Sequence, residues 1–502
     1  MRTRCFVLPT LAACWLASTA FAAPPRKITE IPEFEGLKER WADTMESLGV
    51  PGFAVAVVKD GEILVLDAMG PRNVDDNDPI DADTIFYIAS ITKTYLAAAI
   101  VALAEEGRID LDLPVKTYLP RFKLADEEAT STITVRDLLC HGRGIDSGPI
   151  VFLDAYSGQI TEDRYYHWLA LVEPGGSVEY SNVHYTLLGR VIEAVTGTSW
   201  KDYLQERLFE RTGLEHTTAY ASRMYADANA AIPLVPTDTG WAASPVRKTD
   251  RTMHAAGGMG TSARDAARWI QLQLGHGTVD GIEVLSAESV RSMHEFQSKF
   301  DEPRGRIRRM EGYGLAWQRG TFRGRPYLTH GGGYIGAAAH VSFLPEHDLG
   351  VVVLCNTHGV ANGLIDIVTI DIYDRLLGET GHQDLLPRYK ERVVMMRQRQ
   401  KESQPTSANP AFAEEGLSRE AGDYIGIYAH PDWGSVEFRL ADGALVADLG
   451  DLPLTLNTMW TDEFKAHTET GMGFDGVFKI NDEGRVIAVQ LSVENETVLF
   501  ER

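Results

Sequence analysis

The sequence predicts an α+β fold built on an antiparallel sheet, from three observations. Apolar residues between positions 37 and 48 repeat at the spacing of an amphipathic helix. Two apolar runs, residues 53–58 and 63–66, then flank an Asp-Gly turn, which is typical of an antiparallel hairpin. Residues 90–107 are rich in Ala and Leu and apolar on nearly all sides, which indicates a buried helix. This order favours α+β over a doubly wound parallel sheet.

The later part of the chain predicts more strands and a second domain. Three apolar runs indicate neighbouring strands at residues 327–333, 337–344 and 350–355. Residues 386–415 are charged and then rich in Ser, Pro and Ala, so we expect a helix that frays into a linker. Short β runs separated by turn signals fill residues 416–502, and they predict a small C-terminal β-barrel domain.

The N-terminus predicts a signal peptide at residues 1–22. Two arginines precede an apolar run at residues 5–17, and Ala-Phe-Ala at residues 20–22 has the form of a cleavage site. Cleavage there would export the protein, to the periplasm or out of the cell, and leave a first folded domain at residues 23–385. A lipid anchor on Cys14, which follows Leu-Ala-Ala, is the less favoured alternative.

Composition excludes several kinds of partner. The 502 residues carry a formal net charge of −23, so we expect neither nucleic acid nor an anionic membrane surface as a partner. No later segment has the apolar length of a membrane span. Neither C-x-x-C nor H-E-x-x-H occurs, so we expect no metal and no cofactor. Cys140 and Cys355 are interpreted as two buried thiols rather than a disulfide.

Ser90 and Lys93 are the first candidate catalytic pair. Ser90 stands at the expected N-cap of the buried helix, and Lys93 follows on the same face, one turn deeper. An ammonium group lowers the cost of forming an alkoxide, and desolvation lowers the pKa of a lysine until it can act as a base. Because S-x-x-K also arises by chance, a plain Ser cap with a surface lysine is the alternative.

Tyr180 and Asn182 are the second candidate pair. They lie two residues apart where a loop enters a helix predicted at about residues 185–196. A phenol near a lysine can lose its proton below its free pKa of about 10, and an Asn side chain can hold a lysine and a substrate amide at once. A buried tyrosine and an N-cap asparagine are the structural alternative.

A glycine run inside a predicted strand is the third candidate. His330 is followed there by Gly331, Gly332 and Gly333, and successive glycines in a strand indicate the close approach of a ligand or another backbone. His141 lies in a separate Gly-rich loop. We interpret it as structural, because loop histidines more often are.

Together these motifs resemble the penicillin-recognising serine hydrolases. S-x-x-K at 90–93, Y-x-N at 180–182 and H-G-G at 330–332 occur in the order seen in class C β-lactamases, DD-peptidases, D-aminopeptidases and related esterases. The resemblance covers about residues 34–378, with flanking segments such as 133–139 included. It implies an antiparallel sheet with helices on both faces, an all-helical lobe, and the serine between them.

The resemblance also implies roles for the first two motifs. Ser90 would be the nucleophile, and Lys93 would keep its hydroxyl activated. Tyr180 would be the general base of acylation and deacylation. Asn182 would orient both Lys93 and the substrate.

The third motif would hold the substrate. His330, Gly331 and Gly332 would bind and orient it, and the backbone N–H groups of Ser90 and Gly333 would form the oxyanion hole. The β-lactamases have Lys-Thr-Gly where this chain has His-Gly-Gly. An imidazole that is largely neutral near pH 7 does not supply the fixed positive charge that helps to hold a substrate carboxylate.

The expected function is a secreted serine hydrolase that forms an acyl-enzyme with a small amide or ester. A peptide or ester containing a D-amino acid is the favoured substrate. A class C-like β-lactamase is the first alternative. A penicillin- or peptidoglycan-binding protein without turnover is the second. The sequence does not indicate an oligomeric state.

Overall fold

The computed structural model describes residues 24–74, 78–237, 240–305, 307–380, 384–403, 416–441, 443–468, 472–494 and 496–502. The predicted signal peptide, its alternative at Cys14, and the linker after residue 403 lie outside these residues. Within the described ranges, no helix combines the length and the apolar character needed to cross a membrane.

The secondary structure alternates between helical and β-rich regions. The α-helices of the described residues are α1 (Leu37–Leu48), α2 (Thr92–Glu105), α3 (Val115–Tyr118), α4 (Glu127–Thr132), α5 (Val135–Leu139), α6 (Gly148–Ala155), α7 (Glu162–Leu169), α8 (Asn182–Thr196), α9 (Trp200–Leu204), α10 (Glu210–Thr212), α11 (Ala221–Ala226), α12 (Ala263–Leu274), α13 (Ala287–His294), α14 (Ala361–Leu376) and α15 (Leu386–Ser403). The strands of the first part are β1 (Phe53–Lys59), β2 (Glu62–Met69), β3 (Phe86–Tyr87), β4 (Leu234–Thr237), β5 (Gly240–Ala243), β6 (Gly260–Thr261), β7 (Thr278–Val279), β8 (Ile282–Glu283), β9 (Ser298–Arg304), β10 (Arg308–Tyr313), β11 (Gln318–Phe322), β12 (Arg325–Tyr334), β13 (Ala337–Leu344) and β14 (Leu349–Cys355). The C-terminal strands are β15 (Gly426–His430), β16 (Gly434–Ala441), β17 (Ala444–Leu449), β18 (Leu452–Trp460), β19 (Glu463–His467), β20 (Gly473–Ile480), β21 (Val486–Val493) and β22 (Glu496–Glu501).

An eight-stranded antiparallel sheet, in the order β2-β1-β14-β13-β12-β11-β10-β9, forms the centre of the first domain. The predicted hairpin is confirmed, and Asp60 and Gly61 both have positive φ, as a two-residue type I′ turn requires. Both faces of the sheet are buried, because alternate residues of β1 enter two different cores. Phe53, Val55 and Val57 pack toward α1 and α14, whereas Ala54, Ala56 and Val58 pack toward α2 and α12.

A helical lobe packs beside the sheet around α2. Every residue of α2 from Thr92 to Leu103 is buried, as predicted from its apolar composition. Helices α8, α9 and α13 pack directly against it. This arrangement of an antiparallel sheet with a helical lobe confirms the predicted α+β fold class.

The C-terminal strands β15 to β22 close into a barrel, which confirms that part of the fold prediction. Ring closure is made by β15 and β22, where Ala429 pairs with Glu501. Aromatic side chains fill the interior: a Cβ added to Gly476 would lie 2.2 Å from Cζ of Phe464. Side chains therefore fill this part of the barrel interior.

A buried tryptophan is one of the contacts between the barrel and the helical lobe. Trp433 is 2% exposed and contacts Phe152 of α6 and Trp168 of α7 edge-on, with ring centroids 6.2 and 4.9 Å apart. Beside it, the Gln159 side chain donates to the Ser435 carbonyl (2.9 Å) and accepts from the Ser435 N–H (2.8 Å). Apolar packing and satisfied polar groups therefore join the two domains.

Candidate active site

Ser90 lies in a single 3-10 turn, Ala89–Ile91, between β3 and α2. Ala89 has a φ of +45°, a sparsely populated conformation for a residue with a Cβ. The N-cap of α2 is Ile91, so the prediction that Ser90 caps the helix is wrong. The extra turn instead places the Ser90 hydroxyl beside Lys93.

Lys93 is completely buried in the first turn of α2. Its Nζ atom lies 3.0 Å from Oγ of Ser90, 2.8 Å from Oδ1 of Asn182 and 2.5 Å from the carbonyl oxygen of Ala256. These three neighbours include no carboxylate, and burial lowers the pKa of Lys93 well below its usual value. The surface-lysine alternative is excluded.

Helix α8 begins at Asn182, three residues before the predicted start, with Ser181 as its N-cap. The Ser181 hydroxyl accepts from the Val183 N–H at 3.0 Å, so the alternative that Asn182 caps this helix is excluded. The cap by Ser181 leaves the Asn182 side chain available to accept from Lys93.

Tyr180 stands at the mouth of the site. Its ring lies 4.9 Å from the Lys93 Nζ atom, and 38% of its surface is exposed. Burial raises the pKa of Tyr180, and a side-chain hydrogen bond with Ser90 lowers it. Burial is the larger of these two effects, so the pKa of Tyr180 lies above its usual value, and the prediction that a neighbouring lysine would lower it is not confirmed.

His330 is 2% exposed, and its ring centroid lies 6.3 Å from that of Tyr180. Burial and the charge of Lys93 lower the pKa of His330 to about 3, so the imidazole is neutral at physiological pH. Nδ1 lies 2.8 Å from the Gly331 carbonyl oxygen, which can only accept, so the proton is on Nδ1. Nε2 is then a buried acceptor with no hydrogen-bond partner among the described residues.

The glycines of β12 differ in what surrounds them. A Cβ added to Gly332 would lie 2.0 Å from the Ile88 carbonyl oxygen and 3.2 Å from the Ser90 nitrogen, so this glycine is needed where the strand meets the Ser90 turn. At Gly331 the nearest such atom is 3.9 Å away. The close backbone approach predicted for this strand is confirmed at Gly332.

Sequence reasoning missed two members of the site. The Ala256 carbonyl leaves no sequence signal, because any residue type supplies a carbonyl. His184, two residues after Asn182, lies on the buried face of α8 next to His141. In the described part of the chain, no cluster of three His, Cys, Asp or Glu side chains could hold a metal ion, and Cys140 and Cys355 are buried free thiols.

Comparison with known proteins agrees with this geometry. The family model described as Beta-lactamase matches residues 37–370. A penicillin-binding protein 4 from Amycolatopsis lactamdurans is 30% identical over 351 residues, which cover 68% of this chain and 89% of that protein.

Two solved structures share the fold. The octameric penicillin-binding protein homologue from Pyrococcus abyssi covers 93% of this chain and 99% of its own, at 23% identity and a TM-score of 0.57. A class C β-lactamase from Rhodobacter sphaeroides covers 68% of this chain and 99% of its own, at 23% identity and a TM-score of 0.54. The resemblance predicted from the three motifs is thus confirmed, and the chain belongs to the β-lactamase family.

Proposed function

We propose that this protein is an exported serine hydrolase that forms an acyl-enzyme on Ser90 with a small amide or ester. A peptide or ester containing a D-amino acid is the favoured substrate. The observation that carries the proposal is the environment of the Lys93 amine. The signal peptide predicted for residues 1–22 supports action outside the cytoplasm.

The contacts of Lys93 fit a neutral amine. The Asn182 Oδ1 and the Ala256 carbonyl oxygen can only accept, so they take the two N–H groups of a neutral amine. The third neighbour, Ser90 Oγ at 3.0 Å, accepts from Lys93 when the amine is protonated, and its own proton can pass to the lone pair when the amine is neutral. With its pKa lowered by burial, Lys93 is therefore placed to deprotonate the nucleophile.

The reaction has two balanced halves. Ser90 Oγ attacks the carbonyl carbon of the substrate as its proton passes to Lys93, and Tyr180 gives its phenolic proton to the leaving amine or alcohol as the carbonyl–leaving-group bond breaks. Lys93 then returns a proton to Tyr180. Water then attacks the acyl carbon and gives its proton to the same pair, which passes a proton to Ser90 Oγ as the bond between Ser90 and the acyl group breaks. In this scheme Lys93 accepts the first proton and Tyr180 passes a proton on. A raised pKa keeps the phenol of Tyr180 protonated, so it can donate a proton but is not the initial base.

Two further features belong to this proposal. The N–H groups of Ser90 and Gly333 would stabilise the tetrahedral oxyanion, and such donors are each worth about 2.7–4 kcal/mol. The neutral His330 offers a lone pair on Nε2 to the substrate, which favours a hydrogen-bond donor over a carboxylate at that position.

Active-site labelling tests the proposal. Intact mass spectrometry should show one phosphonyl adduct on the wild-type protein after exposure to a fluorophosphonate, and none on Ser90→Ala. Wild-type protein should also hydrolyse p-nitrophenyl butyrate and D-alanine p-nitroanilide faster than nitrocefin. Labelling of Ser90→Ala, or the absence of any adduct on the wild type, would refute the role of Ser90.

A second candidate is an enzyme that reacts with β-lactams themselves. The name of the relative from Amycolatopsis lactamdurans favours it, as does the hydrogen bond between Ser90 and the buried Lys93. A penicilloyl adduct on Ser90 after mixing with benzylpenicillin would support this candidate. A stable adduct would indicate a binding protein without turnover, and a transient one a β-lactamase.

A further inference from the structure

One residue outside the three motifs holds the backbone on both sides of Tyr180. The Glu179 N–H donates to the carbonyl oxygen of His141 at 3.1 Å, and the Ser181 N–H donates to Nδ1 of the same histidine at 3.3 Å. The His141 ring also lies against the Tyr180 ring, with centroids 4.7 Å apart. The position of the phenol therefore depends on where His141 lies.

His184 in turn orients His141. The two Nδ1 atoms lie 2.8 Å apart, and both side chains are completely buried. Because the Ser181 N–H can only donate, Nδ1 of His141 must carry a lone pair. The proton between the two rings is therefore on Nδ1 of His184, which donates to His141 and fixes its tautomer and ring plane.

Both rings remain neutral in the native protein. Burial lowers the pKa of His184 to about 3 and that of His141 well below its usual value. Besides burial, the neighbours His184, Lys93 and His330 lower the pKa of His141, because each of them, when protonated, would repel a positive charge on that ring. The Arg143 backbone raises the pKa of His184 through a hydrogen bond. A neutral His141 keeps the lone pair that the Ser181 N–H needs.

We propose that His141 and His184 are a pair of positioning residues that hold Tyr180 in place for proton transfer at Ser90. This inference rests on the proposed function, because it assigns Tyr180 a part in the reaction. Neither imidazole need touch the substrate: His141 acts through the backbone and ring of Tyr180, and His184 acts through His141.

The test separates this role from simple structural support. The readout is the second-order rate of Ser90 labelling by a diphenyl phosphonate, because its leaving phenol, unlike fluoride, takes up the proton that Tyr180 gives. His141→Leu removes the acceptor, whereas His141→Asn keeps an acceptor near the Nδ1 position and tolerates the positive φ of 55° at this residue. We expect His141→Leu to slow labelling about 10- to 100-fold, with most of the rate restored in His141→Asn.

A double-mutant cycle completes the test. In a Tyr180→Phe background, His141→Leu should change the rate by less than about twofold, because its effect passes through the phenol. His294→Leu, which alters a histidine bonded to Gln273 outside the site, is the control for lost packing. If His141→Leu does not fold, His184→Leu takes its place in the double-mutant cycle. His184→Asn, which keeps a hydrogen-bond donor, then takes the place of His141→Asn.

The possible results distinguish the two proposals. An equal loss from His141→Leu in both backgrounds, or equal rates for the Leu and Asn variants, would overturn the positioning role while leaving Ser90 as the nucleophile. No labelling of the wild type would refute the proposed function instead. The tautomers of the two histidines can be measured without any catalytic assay. Nitrogen-15 NMR spectra should show His184 protonated on Nδ1 and His141 protonated on Nε2. The reverse assignment would contradict the proposed hydrogen bond from His184 to His141.

Discussion

The Nζ atom of Lys93 lies 2.8 Å from Oδ1 of Asn182, so the first turn of α2 is bound to the first turn of α8. An amide oxygen accepts this bond without adding a negative charge. Because no carboxylate takes the place of Asn182, burial can keep the pKa of Lys93 low. The neutrality of residue 182 is therefore part of what makes the lysine a base.

Replacing Asn182 with aspartate should move the pH dependence of the enzyme. A negative charge beside Lys93 favours its protonated form and raises its pKa, so the rising limb of kcat/KM for p-nitrophenyl butyrate should shift to higher pH. Asn362→Asp, on the exposed side of α14, is the matched control and should leave the limb in place. An active Asn182→Asp enzyme with an unshifted limb would contradict the role of Lys93 as the base.

Residue 330 should control whether carboxylate-bearing substrates are accepted. His330→Lys adds a cation where the imidazole is neutral, so formation of the penicilloyl adduct with benzylpenicillin should rise about tenfold or more relative to p-nitrophenyl butyrate hydrolysis. His330→Met fills a similar volume without charge and is the control. If the ratio of penicilloyl-adduct formation to p-nitrophenyl butyrate hydrolysis were the same in both variants, the charge at residue 330 would not select the substrate.

Local patterns predicted much of the fold. Hydrophobic periodicity and turn residues, which depend on neighbouring residues alone, were enough to predict four features. These are the hairpin at Asp60-Gly61, the buried α2, the neighbouring strands β12, β13 and β14, and the C-terminal barrel. The meeting of Ser90, Lys93 and Asn182 followed from the resemblance, since nothing local brings residues 90 and 182 together.

The errors lie where tertiary contacts override local preference. Serine is a residue type that favours N-caps, yet Ser90 lies in a 3-10 turn before the helix, and this turn places its hydroxyl beside Lys93. Helix α8 begins at Asn182 because Ser181, rather than a later residue, caps it. The structural interpretation of His141 is not one of these errors, but the contacts of His141 on both sides of Tyr180 appear only in three dimensions.

The junction between the barrel and the helical lobe should govern stability without governing chemistry. Trp433→Ala leaves a cavity against Phe152 and Trp168, so the free energy of unfolding should fall by about 3–5 kcal/mol in urea titrations. Trp460→Ala removes a side chain that is 69% exposed on the same barrel, and we expect a change within about 0.5 kcal/mol. Both variants should keep the wild-type rate of Ser90 labelling while folded. A similar loss of stability in both would mean that Trp433 does not anchor the barrel.

The two adjacent glycines of β12 should differ in their tolerance of a methyl group. In Gly332→Ala the new Cβ would lie 2.0 Å from the Ile88 carbonyl oxygen, and neither backbone can yield without moving the Ser90 turn. Because a displacement of about 1 Å can cost about 100-fold in rate, we expect a loss of that order in Ser90 labelling. Gly331→Ala adds the same methyl group with no atom closer than 3.9 Å, so its loss should be much smaller. Equal losses of labelling rate in the two variants would contradict this prediction. They would mean that the close approach of β12 to the Ser90 turn does not determine the reactivity of Ser90, and that both glycines act only through contact with the substrate.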